Sequence, residues 1–234
     1  MLAFDQMANI FYFSIEQDDC PHTFITGQIE GLSIFIINTL NAGRKRQITT
    51  TLFSAKNSED LSNALNLLKS YPGIDDLTIL GKSGNVMSLM YSFPKTSAFR
   101  NVSESGFRLH PIVVRKGQEK WFFIETDNVK ITSLKKSITD STTRIIELRR
   151  VSTQDFLEMY SNLFSKIWTL QSKGSMGNTD ENILTEAVRA GYYEWPRKTS
   201  ISTLSDKMGI PASTMIYRMR KLEKQIMESF KEIN

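Results

Sequence analysis

Few side chains in this sequence are spaced so that they could make or break a bond. The densest set of donors is Asp18-Asp19-Cys20-Pro21-His22, which brings carboxylate, thiol and imidazole into one short stretch. Oxygen, sulfur and nitrogen donors so close together suit a metal or a redox role, yet one stretch offers no second arm, and incidental donors are the plainer reading. Gly81-Lys82-Ser83 has the ending of a phosphate-binding loop, but Asp76 occupies the place of that loop's first glycine. The tripeptide therefore reads as a hairpin turn. No nucleophile has a base at usable spacing. The expectation is a protein that is not an enzyme, with no catalytic residue, no metal and no cofactor.

A second set of side chains suits binding. At about 100° per residue, Ser213, Tyr217, Arg220, Lys221 and Lys224 fall on one side of a helix, with Thr214 and Ile216 on its flanks. Hydroxyls, a phenol and cations match base edges and phosphates in a DNA major groove. The bland alternative is a solvated basic face. Met215, Met219, Leu222 and Ile226 form the opposite, apolar stripe and must meet a core. Ahead of this helix, Leu204 and Met208 mark a shorter one, Gly209 can end it in a left-handed conformation, Ile210 plugs the turn, and Pro211 to Ser213 starts the next. Ser205, four before the glycine, is small enough for two helices to cross. The pattern is a helix-turn-helix with its recognition helix at 212–230.

A more specific string precedes it: Ala190-Gly191-Tyr192-Tyr193-Glu194-Trp195-Pro196-Arg197-Lys198-Thr199. Together with the turn, Ser213-Thr214-Met215 and Arg218-Met219-Arg220-Lys221-Leu222-Glu223, it resembles the archaeal bacterio-opsin-activator-type (Bat-like) helix-turn-helix family over about Thr179 to Phe230. The resemblance implies a DNA-binding transcription regulator. Pro211 departs from it, since family members often place there a serine able to cap the recognition helix. Arg197 and Lys198 lie just before the first helix of the motif and read as phosphate contacts. Ser213, Thr214, Tyr217, Arg220, Lys221 and Lys224 complete the DNA-binding set.

Composition sets the frame for these motifs. With 234 residues and 40% apolar content the chain can bury a real core. No apolar run approaches the ~18 residues of a membrane span, so a cytoplasmic protein without membrane contact is expected. One cysteine permits no internal disulfide, and two histidines leave little for structural zinc. Of the net charge of +4, all is found from Trp195 onward, which holds eight Lys/Arg and four Asp/Glu. The preceding part balances at 21 of each, as expected if the basic footprint lies C-terminally.

Before that footprint, apolar runs predict strands at Ile10–Ile15, Leu32–Leu40, Gln47–Ala55, Leu77–Leu80, Val86–Tyr91, Pro111–Val114, Trp121–Ile124 and Arg144–Leu148. Asn41-Ala42-Gly43, with Arg44-Lys45-Arg46 at the tip, and Lys116-Gly117 read as hairpin turns. Helices are predicted near 58–71, 97–102 and 129–138, and from a Ser152 cap through an apolar stripe of Phe156, Leu157, Tyr160, Leu163, Phe164, Ile167 and Trp168. Gln171 to Asn178 reads as a linker. Thr179 is placed as the cap of a helix whose Ile183, Leu184, Ala187 and Val188 face a core that Tyr193 and Trp195 wedge.

The fold class is α+β. An N-terminal domain at 1–171 carries a mainly antiparallel sheet, with two ferredoxin- or ACT-like halves as a further reading, and an all-α helix-turn-helix domain occupies 179–234. Two functions fit. In one, the C-terminal domain binds double-stranded DNA as part of a homodimer, while the N-terminal domain receives a small-molecule effector or mediates dimerisation. In the other, a metal- or ligand-dependent sensor or enzyme domain is tethered to DNA.

Overall fold

The computed structural model describes residues 9–103, 107–125, 131–139, 143–173 and 178–229. Its chain divides into two units, Met1–Leu170 and Gln171–Asn234. In the first unit, β1 (Asn9–Gln17), α1 (Pro21–Gln28), β2 (Ser33–Ala42), β3 (Arg46–Ser54), α2 (Ser58–Ser70) and β4 (Asp75–Ser83) run β-α-β-β-α-β. The same order repeats in β5 (Val86–Pro94), α3 (Ser97–Ser103), β6 (Phe107–Arg115), β7 (Gln118–Glu125), α4 (Ile131–Thr139) and β8 (Thr143–Val151).

All eight strands join one antiparallel sheet in the order β4-β5-β3-β2-β6-β7-β1-β8. Each half has the ferredoxin-like strand order, but the halves have exchanged their first strands: β5 lies between β4 and β3, and β1 between β8 and β7. The β4–β5 connection explains the exchange. Only Gly84-Asn85 separates these strands, so β5 must fold back beside β4 and take the slot that β1 would otherwise fill. β1 completes the equivalent slot opposite, where the Phe13 and Trp121 rings stack with centroids 4.6 Å apart.

One face of the sheet carries the main core. Phe13, Ile34, Phe53, Leu89, Phe93, Trp121 and Phe123 meet Ile25 of α1, Leu61, Ala64 and Leu68 of α2, Ala98 of α3 and Leu134 and Ile138 of α4. α5 (Thr153–Lys173) lies on the other face, where Leu163 and Ile167 pack on Phe35, Leu52, Val86 and Val113. Its Phe156 and Tyr160 rings contact Phe122. Ser152 does cap α5, accepting from the Asp155 amide at 3.0 Å while its hydroxyl donates to Asp155 at 2.7 Å. Leu157 and Phe164 of the same stripe stay half exposed, and the Trp168 side chain lies outside the described residues. Among the described residues no helix is long and apolar enough to cross a membrane.

Several local expectations change. Gly81-Lys82-Ser83 is not a turn but the end of β4; the turn is one step later, at Gly84-Asn85. Asn41 and Ala42 stay in β2, leaving residues 43–45 as the turn. Arg46 leaves the tip because its guanidinium bridges Gly73 O and Ser92 Oγ, both at 2.9 Å, and Asp75 at 2.8 Å. α1 was not legible: eight residues with three β-branched side chains and a glycine carry little helical signal. Gln171 to Lys173 continue α5 and are no linker, while residues 174–177 of the expected linker lie outside the described residues.

The second unit contains α6 (Asn178–Arg189), α7 (Ile201–Met208) and α8 (Ala212–Ser229). Its core is Ile183, Ala187, Tyr192, Leu204, Met215, Met219 and Leu222. Thr179 lies inside the first turn of α6 rather than ahead of it, and Val188 faces solvent. Tyr192 makes the aromatic wedge expected of its neighbours; Tyr193 is 48% exposed and Trp195 96% exposed.

Candidate nucleic-acid interface

The geometry of the α7–α8 turn follows from a few residues. Ser200 caps α7 by accepting from the Thr203 amide at 3.1 Å. Gly209 ends it at φ 63°, and the Ile210 amide then returns to Ser205 O at 3.0 Å. Ser205 is buried at the crossing, its hydroxyl donating to Ser202 O at 2.7 Å. The first turn of α8 closes from the Met215 amide to Pro211 O at 2.9 Å, so proline opens this helix without a capping side chain.

α8 buries Met215, Met219 and Leu222 and exposes Ser213, Tyr217, Arg220, Lys221 and Lys224, with Thr214 half-buried at the edge. The Ile226 side chain lies outside the described residues. Two basic residues of α8 are tied inward: Asp180 of α6 meets Arg218 at 3.0 Å and Lys221 at 3.9 Å. Lys221 is thus shared between an internal carboxylate and the outer face, while Tyr217, 69% exposed, and Arg220 project freely from it.

Arg197 and Lys198 sit in the loop that enters α7. The Arg197 guanidinium stacks on Tyr192, 4.5 Å from the ring centre, and Lys198 pairs with Glu194 at 2.5 Å. Gly191, at φ 75°, makes this possible: the Lys198 amide donates to its carbonyl at 3.1 Å, and a Cβ there would stand 2.9 Å from Lys198 Cβ. The Tyr193 hydroxyl bonds Glu223 of α8 at 3.1 Å, and burial first, then Glu223, raises its pKa. The loop is therefore fastened at several points while Trp195 stands out in solvent.

Ion pairing also corrects the charge partition. Lys198, Lys207 and Arg218 each pair with an acid N-terminal to Trp195, namely Glu194, Glu186 and Asp180. Counted over Gln171–Asn234, ten Lys/Arg face eight Asp/Glu. The basic character belongs to one face of α8 and the α7 entrance, not to the whole unit.

The stretch from Asp18 to His22 divides: Asp18 is exposed and Asp19 half-buried, while the Cys20 and His22 side chains enter the N-terminal unit. Cys20 and His22 are buried, 3.5 Å apart from Sγ to Nδ1. His22 Nε2 is 2.5 Å from the Tyr91 hydroxyl, and burial lowers the His22 pKa to about 3, with Arg108 adding to the effect. Burial pushes the Cys20 thiol up, and Glu119 reinforces this. Asp19 instead receives the Ser97 amide and hydroxyl, both at 2.7 Å, joining the entrance of α1 to that of α3. Among the described residues no three His, Cys, Asp or Glu are grouped to hold a metal ion.

Residues 178–228 match the family described as an HTH DNA binding domain, the bacterio-opsin-activator type, so the second unit is a helix-turn-helix DNA-binding domain. The protein is a DNA-binding regulator of the α+β class. Residues 10–142, more than half of the chain, match the N-terminal family HVO_2525_N, and the chain belongs to that family. No curated protein and no solved structure matches it.

Proposed function

We propose that the protein is a sequence-specific transcription regulator that works by binding alone, without catalysis, in an archaeal cytoplasm. α8 enters the major groove; Ser213, Tyr217 and Arg220 meet base edges, with Thr214 and Lys221 at the rim. Arg197, Lys198 and Lys224 neutralise phosphates. The observation that carries this reading is the outer face of α8, where hydroxyl, phenol and guanidinium stand together above a helix whose other side is wholly committed to the core.

One helix-turn-helix reads too few base pairs for genomic specificity, so we infer a homodimer with recognition helices about 34 Å apart. Leu157 and Phe164, half exposed on α5, favour contacts through the N-terminal unit. That unit receives the signal and changes DNA affinity by binding an effector differently in two states. Selection of bound sequences from random duplex DNA tests the reading directly. A single enriched motif with two half-sites, and a dimer by light scattering, are expected; unselective recovery of all duplexes, or monomer with and without the selected duplex, overturns it.

A further inference from the structure

Trp195 is the most exposed large apolar side chain among the described residues, at 96%, yet it projects from a loop that is otherwise held fast. Tyr192 is in the core, and the Tyr193 ring meets it edge-on with centroids 5.0 Å apart. The Gly191 carbonyl accepts from the Glu194 amide at 3.2 Å and from the Lys198 amide at 3.1 Å, so the chain is tied to one atom on either side of Trp195. Arg197 stacks on Tyr192, and Lys198 pairs with Glu194. A tryptophan that merely failed to find a core would sit on slack chain. This one is carried on a fixed support, and a ring so held loses little freedom when a partner covers it.

The Tyr193 hydroxyl donates to Glu223 at 3.1 Å and so fixes the loop beside one flank of α8. Ile216, Arg220 and Glu223, spaced by four and three residues, form a single ridge along that flank. Arg220 is a base-reading residue in the function proposed above, whereas the far flank belongs to Asp180 of α6 with Arg218 and Lys221. A helix in a major groove has a sugar–phosphate strand along each flank, and the loop also leads into the α7 N-terminus, close to where this motif crosses the backbone. The charges agree. Glu194 and Glu223 are both engaged, by Lys198 and by the Tyr193 hydroxyl, while Arg197 and Arg220 supply positive charge from the loop and from the facing ridge. A polyanion is thereby favoured over a protein surface. We propose that Trp195 is a DNA-backbone anchor: its indole face lies on the deoxyribose of the strand bordering α8, and its N–H donates to a phosphate oxygen there. Such a contact reads no base; it fixes the depth and angle at which α8 presents Tyr217 and Arg220. The inference deepens the DNA-binding reading and rests on it.

The test uses the full chain on the selected duplex and on scrambled duplex across a salt series. Trp195→Ala melts as wild type does, since the ring is out in solvent, yet should weaken both duplexes by roughly tenfold. The slope of log affinity against log salt should stay unchanged, because no cation is removed, whereas Arg197→Ala lowers it. Trp195→Phe keeps an aromatic face and loses the N–H, so it should recover part of the loss. Acrylamide quenching follows the indole directly: the sequence has three tryptophans, and the difference between wild type and Trp195→Phe isolates this one. That signal should be quenched in the free chain and shielded by duplex. Equal affinity of wild type and Trp195→Ala overturns the anchor, as does a loss confined to the selected duplex, or an indole still quenched on DNA. A fall in the dimer content of Trp195→Ala without DNA, seen by light scattering, would assign the ring to a second copy and equally overturn it. If wild type binds neither duplex, the proposed docking of α8 fails as well; if wild type binds and Trp195→Ala binds equally, only the anchor fails.

Discussion

The two units place their charges in opposite surroundings. In the N-terminal unit Arg108 and Glu119 are held under the sheet's helices, out of water, where burial raises the Glu119 pKa and Arg108 opposes the shift. In the C-terminal unit Tyr217, Arg220 and Lys224 stand on an open helix face. Buried charge acts over a few ångströms and responds little to salt, so its effect is on the folding of its own unit. Exposed charge acts over a Debye length of about 8 Å at physiological ionic strength, so it suits a polyanion. Each unit is therefore sensitive to a different perturbation: the first to loss of a buried partner, the second to salt.

Breaking the buried pair has the largest expected effect. Glu119→Ala strands Arg108 and should cost the N-terminal unit about 3–5 kcal/mol, with little dependence on salt. Denaturant melts followed by hydrogen exchange, which resolves the two units, check this; a loss confined to low salt would place the pair at the surface instead.

Acid sharpens the same contrast. Burial holds His22 at about 3 and, with Arg108 again adding, His110 at about 4, both below the unfolded 6.5. A depressed histidine pKa means that the unfolded chain takes the proton first. Stability is full above pH 6.5 and falls as pH drops toward those values, by roughly 1.4 kcal/mol per pH unit for each histidine. Glu119, with its raised pKa, acts in the opposite sense above its ordinary 4.5, so the histidine part is read as the difference between wild type and His110→Gln. The C-terminal unit contains neither histidine and should not share this component.

Within the C-terminal unit the aromatic pair distinguishes core from surface. Tyr192→Ala should destabilise by roughly 3 kcal/mol, because it empties a core position and removes the platform for Arg197. Trp195→Ala should leave the melt within about 0.5 kcal/mol of wild type. Equal effects would mean that the loop folds around Trp195 after all.

The smallest changes in stability accompany the clearest changes in binding. Arg220→Ala and Tyr217→Ala should cost about 1–3 kcal/mol on the selected duplex and less on scrambled DNA. Arg197→Ala, Lys198→Ala and Lys224→Ala should weaken both and reduce the salt slope by roughly one unit. Equal losses on both duplexes for Arg220 and Tyr217 would show that α8 docks by another face.

Much of this protein is written in local patterns. The recognition helix, its apolar stripe and the left-handed Gly209 follow from helical spacing and from one residue's freedom at positive φ, so they are legible residue by residue. So is the Ser152 cap, decided by a few neighbours in sequence, whereas the hairpins are legible but the turns at 43–45 and 84–85 lie later in the chain than the local pattern places them. Other features depend on distant partners. Whether Tyr192 or Trp195 enters the core was settled by Gly191, whose close contact with Lys198 turns the loop. The exchange of β1 and β5 follows from pairing across the whole sheet, set by a two-residue turn remote from β1. The polar group of Gln47, Arg108 and Glu119 carries no motif, because its members come from three strands up to 72 positions apart and meet only when the two halves close into one sheet. Local chemistry determined the DNA-binding unit; long-range strand pairing alone brought the buried polar group together.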